Sequence, residues 1–227
     1  MSGQQPSAKW VRVFPGPRIS DVLGYVKATW MWLQHEYPEM VSYAQSEPDL
    51  TDNLCEALND YDRRLESGID CDFQSESWEL RRSADGKVTR IARADIRVIL
   101  GVSGTPHLVI EFKKLDGTGQ SRWRYCFDGM SRFIEGAYSV GHDFAVMCGL
   151  SSVDLDQEDA AMGLYISQDE YVKRLQCVAD STGAVVMRPS STAPGTARFD
   201  TVHRRHSQNP PKSIVLLHVL MNCSAPT

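Results

Sequence analysis

Between Ile19 and Leu33 the apolar positions Ile19, Val22, Leu23, Val26, Trp30 and Leu33 recur at three- and four-residue spacing. That period predicts an amphipathic helix, with Ser20 or Asp21 near its start. A second stripe, Leu50, Leu54, Ala57, Leu58, Tyr61 and Leu65, follows the helix-start residues Ser46, Pro48 and Asp49 and runs to a stop at Gly68. Three strands are then predicted, Phe73 to Leu80, Ala94 to Leu100 and Leu108 to Leu115. The connections Ser83-Ala84-Asp85-Gly86 and Gly101 to Pro106 carry turn chemistry, so an antiparallel meander is expected. After the turn Asp116-Gly117-Thr118-Gly119 a helical pattern runs from Tyr125 to Tyr138, and His142 to Gly149 reads as a buried strand. The order is helix, three strands, helix, strand.

Beyond this unit come an acidic stretch (Asp154, Asp156, Glu158, Asp159), a helix from Gln168 to Val178 and a short strand at Ala184 to Met187. From Arg188 to Lys212 the composition turns to Pro, Ser, Thr, Arg and His, with Asp200 the only acid, before an apolar strand from Ile214 to Met221. Three regions result: a helical extension over 1–45, a core over 46–150, and a C-terminal elaboration over 151–227 whose basic loop spans 188–212.

With 227 residues, 42% of them hydrophobic and 23% charged, the chain has the make-up of one globular domain; the expected fold, with the resemblance given below, is α/β with a mixed central sheet flanked by helices. A net charge of −5 excludes a uniformly basic nucleic-acid coat protein but leaves room for a local basic patch. The six cysteines are widely spaced and form no C-x-x-C pair, which argues against structural zinc and for reduced thiols. Cys55, Cys126, Cys148 and Cys223 sit in apolar runs as small core residues. No basic-then-apolar leader opens the chain and no run approaches the roughly 20 apolar residues of a membrane span, so a cytoplasmic protein without membrane contact is expected.

The chemistry concentrates in Ala94-Asp95-Ile96-Arg97-Val98-Ile99-Leu100 and Leu108-Val109-Ile110-Glu111-Phe112-Lys113-Lys114, where charge lies inside strands. Alternation puts Glu111 and Lys113 on one face and Ile110 and Phe112 on the other. A carboxylate in so apolar a run costs several kcal/mol to bury unless it is paired or binds a metal. If the strands are neighbours, Asp95 comes beside Glu111 with the Lys113 ammonium next to them. Such a carboxylate pair suits Mg²⁺, which leaves its other positions to water and substrate phosphate. Mn²⁺ is a possible substitute. The arrangement serves phosphodiester hydrolysis, with Lys113 orienting or deprotonating water or stabilising developing charge.

With this spacing inside two apolar strands of that order, residues 46–150 resemble the PD-(D/E)XK nuclease superfamily, the restriction-endonuclease-like fold with core order αβββαβ. The resemblance implies that Asp95 is the acid of the second strand, that Glu111-Phe112-Lys113 is the E-x-K element, and that Asp95, Glu111 and the Phe112 carbonyl hold the metal. Ala94 stands where proline is common. Many members also carry a glutamate on the first core helix. Helical register favours Glu47, above Leu54 and Leu58, over Glu56, which shares a polar side with Asp52, Asp60 and Arg63.

Arg122, Arg124 and Arg132, near the helix after the E-x-K strand, are candidate phosphate contacts, as are Arg204 and Arg205 in the basic stretch with His203 and His206. The competing reading for each is a solvated face or a polar linker, and for Asp95, Glu111 and Lys113 a structural ion pair. No G-x-x-x-x-G-K-[ST] or G-x-S-x-G motif supports an ATPase or a serine hydrolase. The expected function is metal-dependent cleavage of nucleic acid, DNA above all, in a restriction or anti-phage defence setting that the resemblance alone suggests. The alternative is a non-catalytic nuclease-fold subunit that binds DNA or a protein partner in a larger complex; a homodimer is also possible.

Overall fold

Residues 14–82, 88–100, 107–137, 139, 142–205 and 212–223 are described in a computed structural model of the chain. The first helix, α1 (Gly16–Glu36), buries Ile19, Val22, Leu23, Val26, Trp30 and Leu33, the stripe that its periodicity predicts. In α2 (Glu47–Leu58) the Ser46 hydroxyl accepts the Asp49 N–H at 3.2 Å, and Leu50, Leu54 and Leu58 point inward.

The predicted continuation of this helix to Leu65 is not observed. Asn59 leaves the helix and clamps β1 (Cys71–Arg82) by donating to the Phe73 carbonyl at 2.7 Å and accepting its N–H at 3.1 Å. Asp60 then caps a separate short helix, α3 (Tyr61–Glu66). Asn and Asp side chains compete for backbone groups in this way, and here they rotate the second half of the stripe outward. Tyr61 and Leu65, expected in the core, are 69% and 67% exposed.

Strands β1, β2 (Val88–Leu100) and β3 (His107–Leu115) form the expected antiparallel meander. The turns predicted at 83–86 and 101–106 lie outside the described residues. A helical rod follows, built from α4 (Gly119–Arg124), a wider π-helical segment (Tyr125–Met130) and α5 (Ser131–Ile134). It starts earlier than the apolar pattern suggests because the Thr118 hydroxyl caps Ser121 N–H. It ends short of the predicted Tyr138 because Gly136 takes a left-handed φ of 76°.

Strand β4 (Phe144–Ser151) runs parallel to β3, and β6 (Lys212–Asn222) runs parallel to β4. The acidic stretch opens α6 (Leu155–Ile166): Asp154 accepts two N–H groups of the first turn, where negative charge suits the helix dipole. The helix predicted from Gln168 shortens to α7 (Asp169–Arg174), and the predicted strand at 184–187 reduces to a single bridge between Met187 and Asp200. The expected basic loop contains a strand instead, β5 (Phe199–Arg205), antiparallel to β6. Asp200, buried, accepts Ser191 N–H and hydroxyl and folds the Ser/Pro-rich approach onto that strand.

The six-stranded sheet has the order β1-β2-β3-β4-β6-β5. It is mixed, with helices on both faces. One face packs Phe73, Ile96, Val98, Ile110, Phe112 and Cys148 against α1 and α2; the other packs Val109, Met147, Phe199 and Leu216 against the rod and α6. Cys55, Cys71, Cys126 and Cys148 are buried free thiols. Among the described residues no helix is long and apolar enough to cross a membrane.

Candidate active site

Among the described residues the β2–β3 ladder runs only over Ile96↔Ile110 to Ile99↔His107, while β3 continues to Leu115 paired with β4 alone. The two strands therefore fork just past Ile96. Asp95 stands at the fork, and its Oδ2 accepts the Phe112 N–H at 2.7 Å, replacing the backbone acceptor that the ladder no longer supplies. Continuing the register puts Asp95 opposite Glu111.

Glu111 is wholly buried. Its Oε1 takes the Lys113 ammonium at 3.0 Å and Arg132 Nη1 at 2.7 Å, whereas its Oε2 has no hydrogen-bond partner. Burial pushes the Glu111 carboxyl up to about 7, and the Asp95 charge adds to the rise against the pull of Lys113 and Arg132. Asp95 is raised too, by burial first, with Lys113 opposing.

Lys113 Nζ also donates to Glu47 Oε1 and to the Phe112 carbonyl, both at 2.7 Å. Burial by itself would depress this amine. The carboxylates of Glu111, Glu47 and Asp95 outweigh it, and the net displacement is upward, so the group is an ammonium across the neutral range. Glu47, at the first turn of α2, accepts the Lys114 N–H at 3.0 Å through its other oxygen. Lys114 in turn donates to the Tyr43 and Gln45 carbonyls and lies 4.2 Å from the Tyr43 ring centre, tying the approach to α2 onto β3.

Asp95, Glu111, Phe112, Lys113 and Glu47 are thus brought together, and Arg132 joins them. Arg122 is elsewhere, engaged in a two-pronged ion pair with the buried Glu158 at 2.9 and 2.7 Å, which locks α4 to α6. Arg124 lies at the end of α4. Arg204 is exposed on β5, but Arg205 is buried and donates to the carbonyls of Phe133, Ser139 and His142 at 2.9 to 3.0 Å. The reading of Arg205 as a phosphate contact on a mobile loop is corrected accordingly: its guanidinium is spent on three backbone carbonyls at and just beyond the end of the rod.

Among the described residues no group of three or more His, Cys, Asp and Glu side chains is arranged to hold a metal ion. The smaller set of two carboxylates and one carbonyl does fit Mg²⁺, which uses one or two carboxylates and fills its shell with water and phosphate. The buried Glu111 Oε2 is an oxygen in want of a cation. The Phe112 carbonyl keeps a second lone pair beside the Lys113 bond.

A second polar cluster escaped the sequence reading. Tyr125, His218, Thr201 and His203 are all buried and linked in a row: Tyr125 Oη to His218 Nδ1 at 2.9 Å, His218 Nε2 to Thr201 Oγ1 at 2.8 Å, Thr201 Oγ1 to His203 Nε2 at 2.7 Å. His203 Nδ1 meets the Leu175 carbonyl at 2.7 Å. A carbonyl only accepts, so His203 carries its proton on Nδ1 and every other proton follows: Thr201 donates to His203, His218 donates from Nε2 to Thr201, and Tyr125 donates to His218. Burial drives His203 down to about 4 and His218 well below the usual histidine range, which keeps both rings neutral.

Comparison with protein-family models, with curated proteins and with solved structures finds no match to this chain.

Proposed function

We propose that the protein is a Mg²⁺-dependent nuclease of the PD-(D/E)XK type, with a restriction-endonuclease-like core, hydrolysing phosphodiester bonds in DNA. The observation that carries this reading is the buried Glu111 carboxylate, with one oxygen unpartnered, held at the strand fork beside Asp95. A carboxyl displaced this far by burial and a like charge is typical of a working site. Asp95, Glu111 and the Phe112 carbonyl would hold the ion, which when bound lowers the pKa of a coordinated water and offsets charge on the phosphoryl oxygens. Lys113, kept as an ammonium, contributes positive charge toward the reacting phosphate rather than acting as the base. Glu47 positions that ammonium, and Arg132 offers a guanidinium to a neighbouring phosphate oxygen.

One observation favours a second reading, a nuclease-fold subunit without catalysis: Lys113 and Arg132 already neutralise Glu111. The test is incubation of the purified protein with supercoiled, linear and single-stranded DNA, with and without Mg²⁺. Metal-dependent cutting, lowered at least about 10²-fold in Lys113→Ala while DNA is still bound, supports the enzyme. Binding with no cutting under any condition assigns the passive subunit.

A further inference from the structure

Three carboxylates and two cations meet at the fork. Asp95, Glu111 and Glu47 each bring a negative charge, and Lys113 offsets one of these through contacts to Glu47 Oε1 at 2.7 Å and Glu111 Oε1 at 3.0 Å. That set alone is two charges short, the deficit that a divalent cation fills. Arg132 supplies one of the two, with Nη1 2.7 Å from Glu111 Oε1.

The two cations are held differently. The Lys113 side chain is 10% exposed and anchored by Glu111, Glu47 and the Phe112 carbonyl, so losing Glu111 would leave it two partners. Arg132 arrives from another element, the short α5 that follows the π-helical segment, and 42% of its side chain is exposed. Both cations sit on one oxygen of Glu111, while the buried Oε2 has no hydrogen-bond partner. A metal ion taking Oε2 would share a single carboxylate with the guanidinium on Oε1, and like charges at such range repel strongly where water is scarce. The double charge prevails at Glu111. Of the two resident cations, the one with the exposed side chain is the one that can turn outward into water.

We infer that Arg132 is a stand-in cation, which holds Glu111 while the site is without metal, yields the carboxylate to Mg²⁺, and thereby sets the Mg²⁺ concentration at which the site fills. The inference rests on the nuclease reading of this site and adds its regulation. It accounts for a carboxylate that is neutralised by the protein's own side chains and still keeps one oxygen for an ion. Once turned outward, the guanidinium is the group that the nuclease reading sets against a phosphate oxygen.

The experiment measures Mg²⁺ binding by calorimetry, without DNA, in wild type, Arg132→Gln and Arg132→Lys. It is run at about pH 9, so that no proton competes with the ion for Glu111. The guanidinium carbon resonance of Arg132 is followed by NMR through the wild-type titration. Glutamine keeps a donor for Oε1 and removes the charge, so this variant should bind Mg²⁺ about fivefold or more tightly than wild type. The lysine variant, which restores the charge, stays close to wild type, and the wild-type resonance shifts in step with metal occupancy. Equal or weaker Mg²⁺ binding by the glutamine variant, or a resonance that saturating metal leaves in place, overturns the stand-in role and leaves the nuclease reading intact. Mg²⁺ binding by the glutamine variant and none by wild type means that the guanidinium never yields, which overturns the exchange and assigns the passive subunit. No Mg²⁺ binding by any of the three overturns the metal-dependent reading and this inference with it. Should the glutamine variant fail to fold, the wild-type resonance decides.

Discussion

The Asp95 carboxylate receives the Phe112 N–H at 2.7 Å, at the point where β2 and β3 cease to pair. One side chain thereby closes a gap in the sheet and anchors the backbone between Glu111 and Lys113. The fork at which the two carboxylates meet is thus held in part by one of them.

Two substitutions at this residue separate its roles. Asp95→Asn keeps an amide oxygen for Phe112 and removes a charge that burial disfavours, so thermal stability should be unchanged or higher while Mg²⁺-dependent cleavage is lost. Asp95→Ala strands the Phe112 N–H and should cost about 1–3 kcal/mol in denaturant unfolding. Equal stability of the two variants would remove the fork-closing role.

Glu111 sets a pH dependence of known sign. Its folded value of about 7 lies above the ordinary 4.5, so the folded state holds the proton more tightly, and the stability this provides below pH 4.5 is lost as pH rises through 7. Unfolding free energies of wild type and Glu111→Gln, compared across that window, should diverge by on the order of 2–3 kcal/mol, with wild type losing ground as pH increases. A pH-independent difference would mean that Lys113 and Arg132 hold Glu111 ionised throughout.

Alternation along two strands was enough to bring Asp95, Glu111 and Lys113 to one place, and helical register was enough to choose Glu47 over Glu56, because both periods are local. The fork was not legible, since where a ladder stops depends on how three strands splay and not on either strand's residues. Arg205 illustrates the same limit: its partners, the Phe133, Ser139 and His142 carbonyls, lie more than sixty positions away. Beside Arg204 in a polar run it looks like surface. The Asn59 break was visible only as two turn-forming residues inside an otherwise continuous apolar stripe, and the stripe won the sequence reading although the side chains won the fold.

Acid should unfold the protein through its interior histidines. His203 titrates at about 4 when folded and at 6.5 when exposed, so stability is complete above 6.5 and falls as pH drops toward 4. That single ring accounts for roughly 3 kcal/mol over the window, and His218 adds to it in the same direction. Ring proton resonances of both residues, followed by NMR, should not move between pH 8 and about 5; a midpoint near 6.5 for either would contradict the row of hydrogen bonds.

The two adjacent arginines of β5 should behave unlike each other. Arg205→Met removes a buried guanidinium and its three hydrogen bonds to carbonyls and should destabilise the fold by about 2–4 kcal/mol. Arg204→Ala, at an exposed position, should change unfolding by no more than about 0.5 kcal/mol. Urea titration of both variants reads the difference directly, and comparable losses would refute the placement of Arg205.

Gly129 lies in the π-helical segment, where an added Cβ would fall 2.5 Å from Met147 Cε and 3.5 Å from Lys113 Cγ. A side chain at that position would first have to displace the flexible end of Met147, and Arg132, three residues on, reaches Glu111 from the same rod. A methyl group added at 129 would therefore be felt at Glu111 only at second hand, through a resettled Met147 or a rod that carries the Arg132 guanidinium away with it.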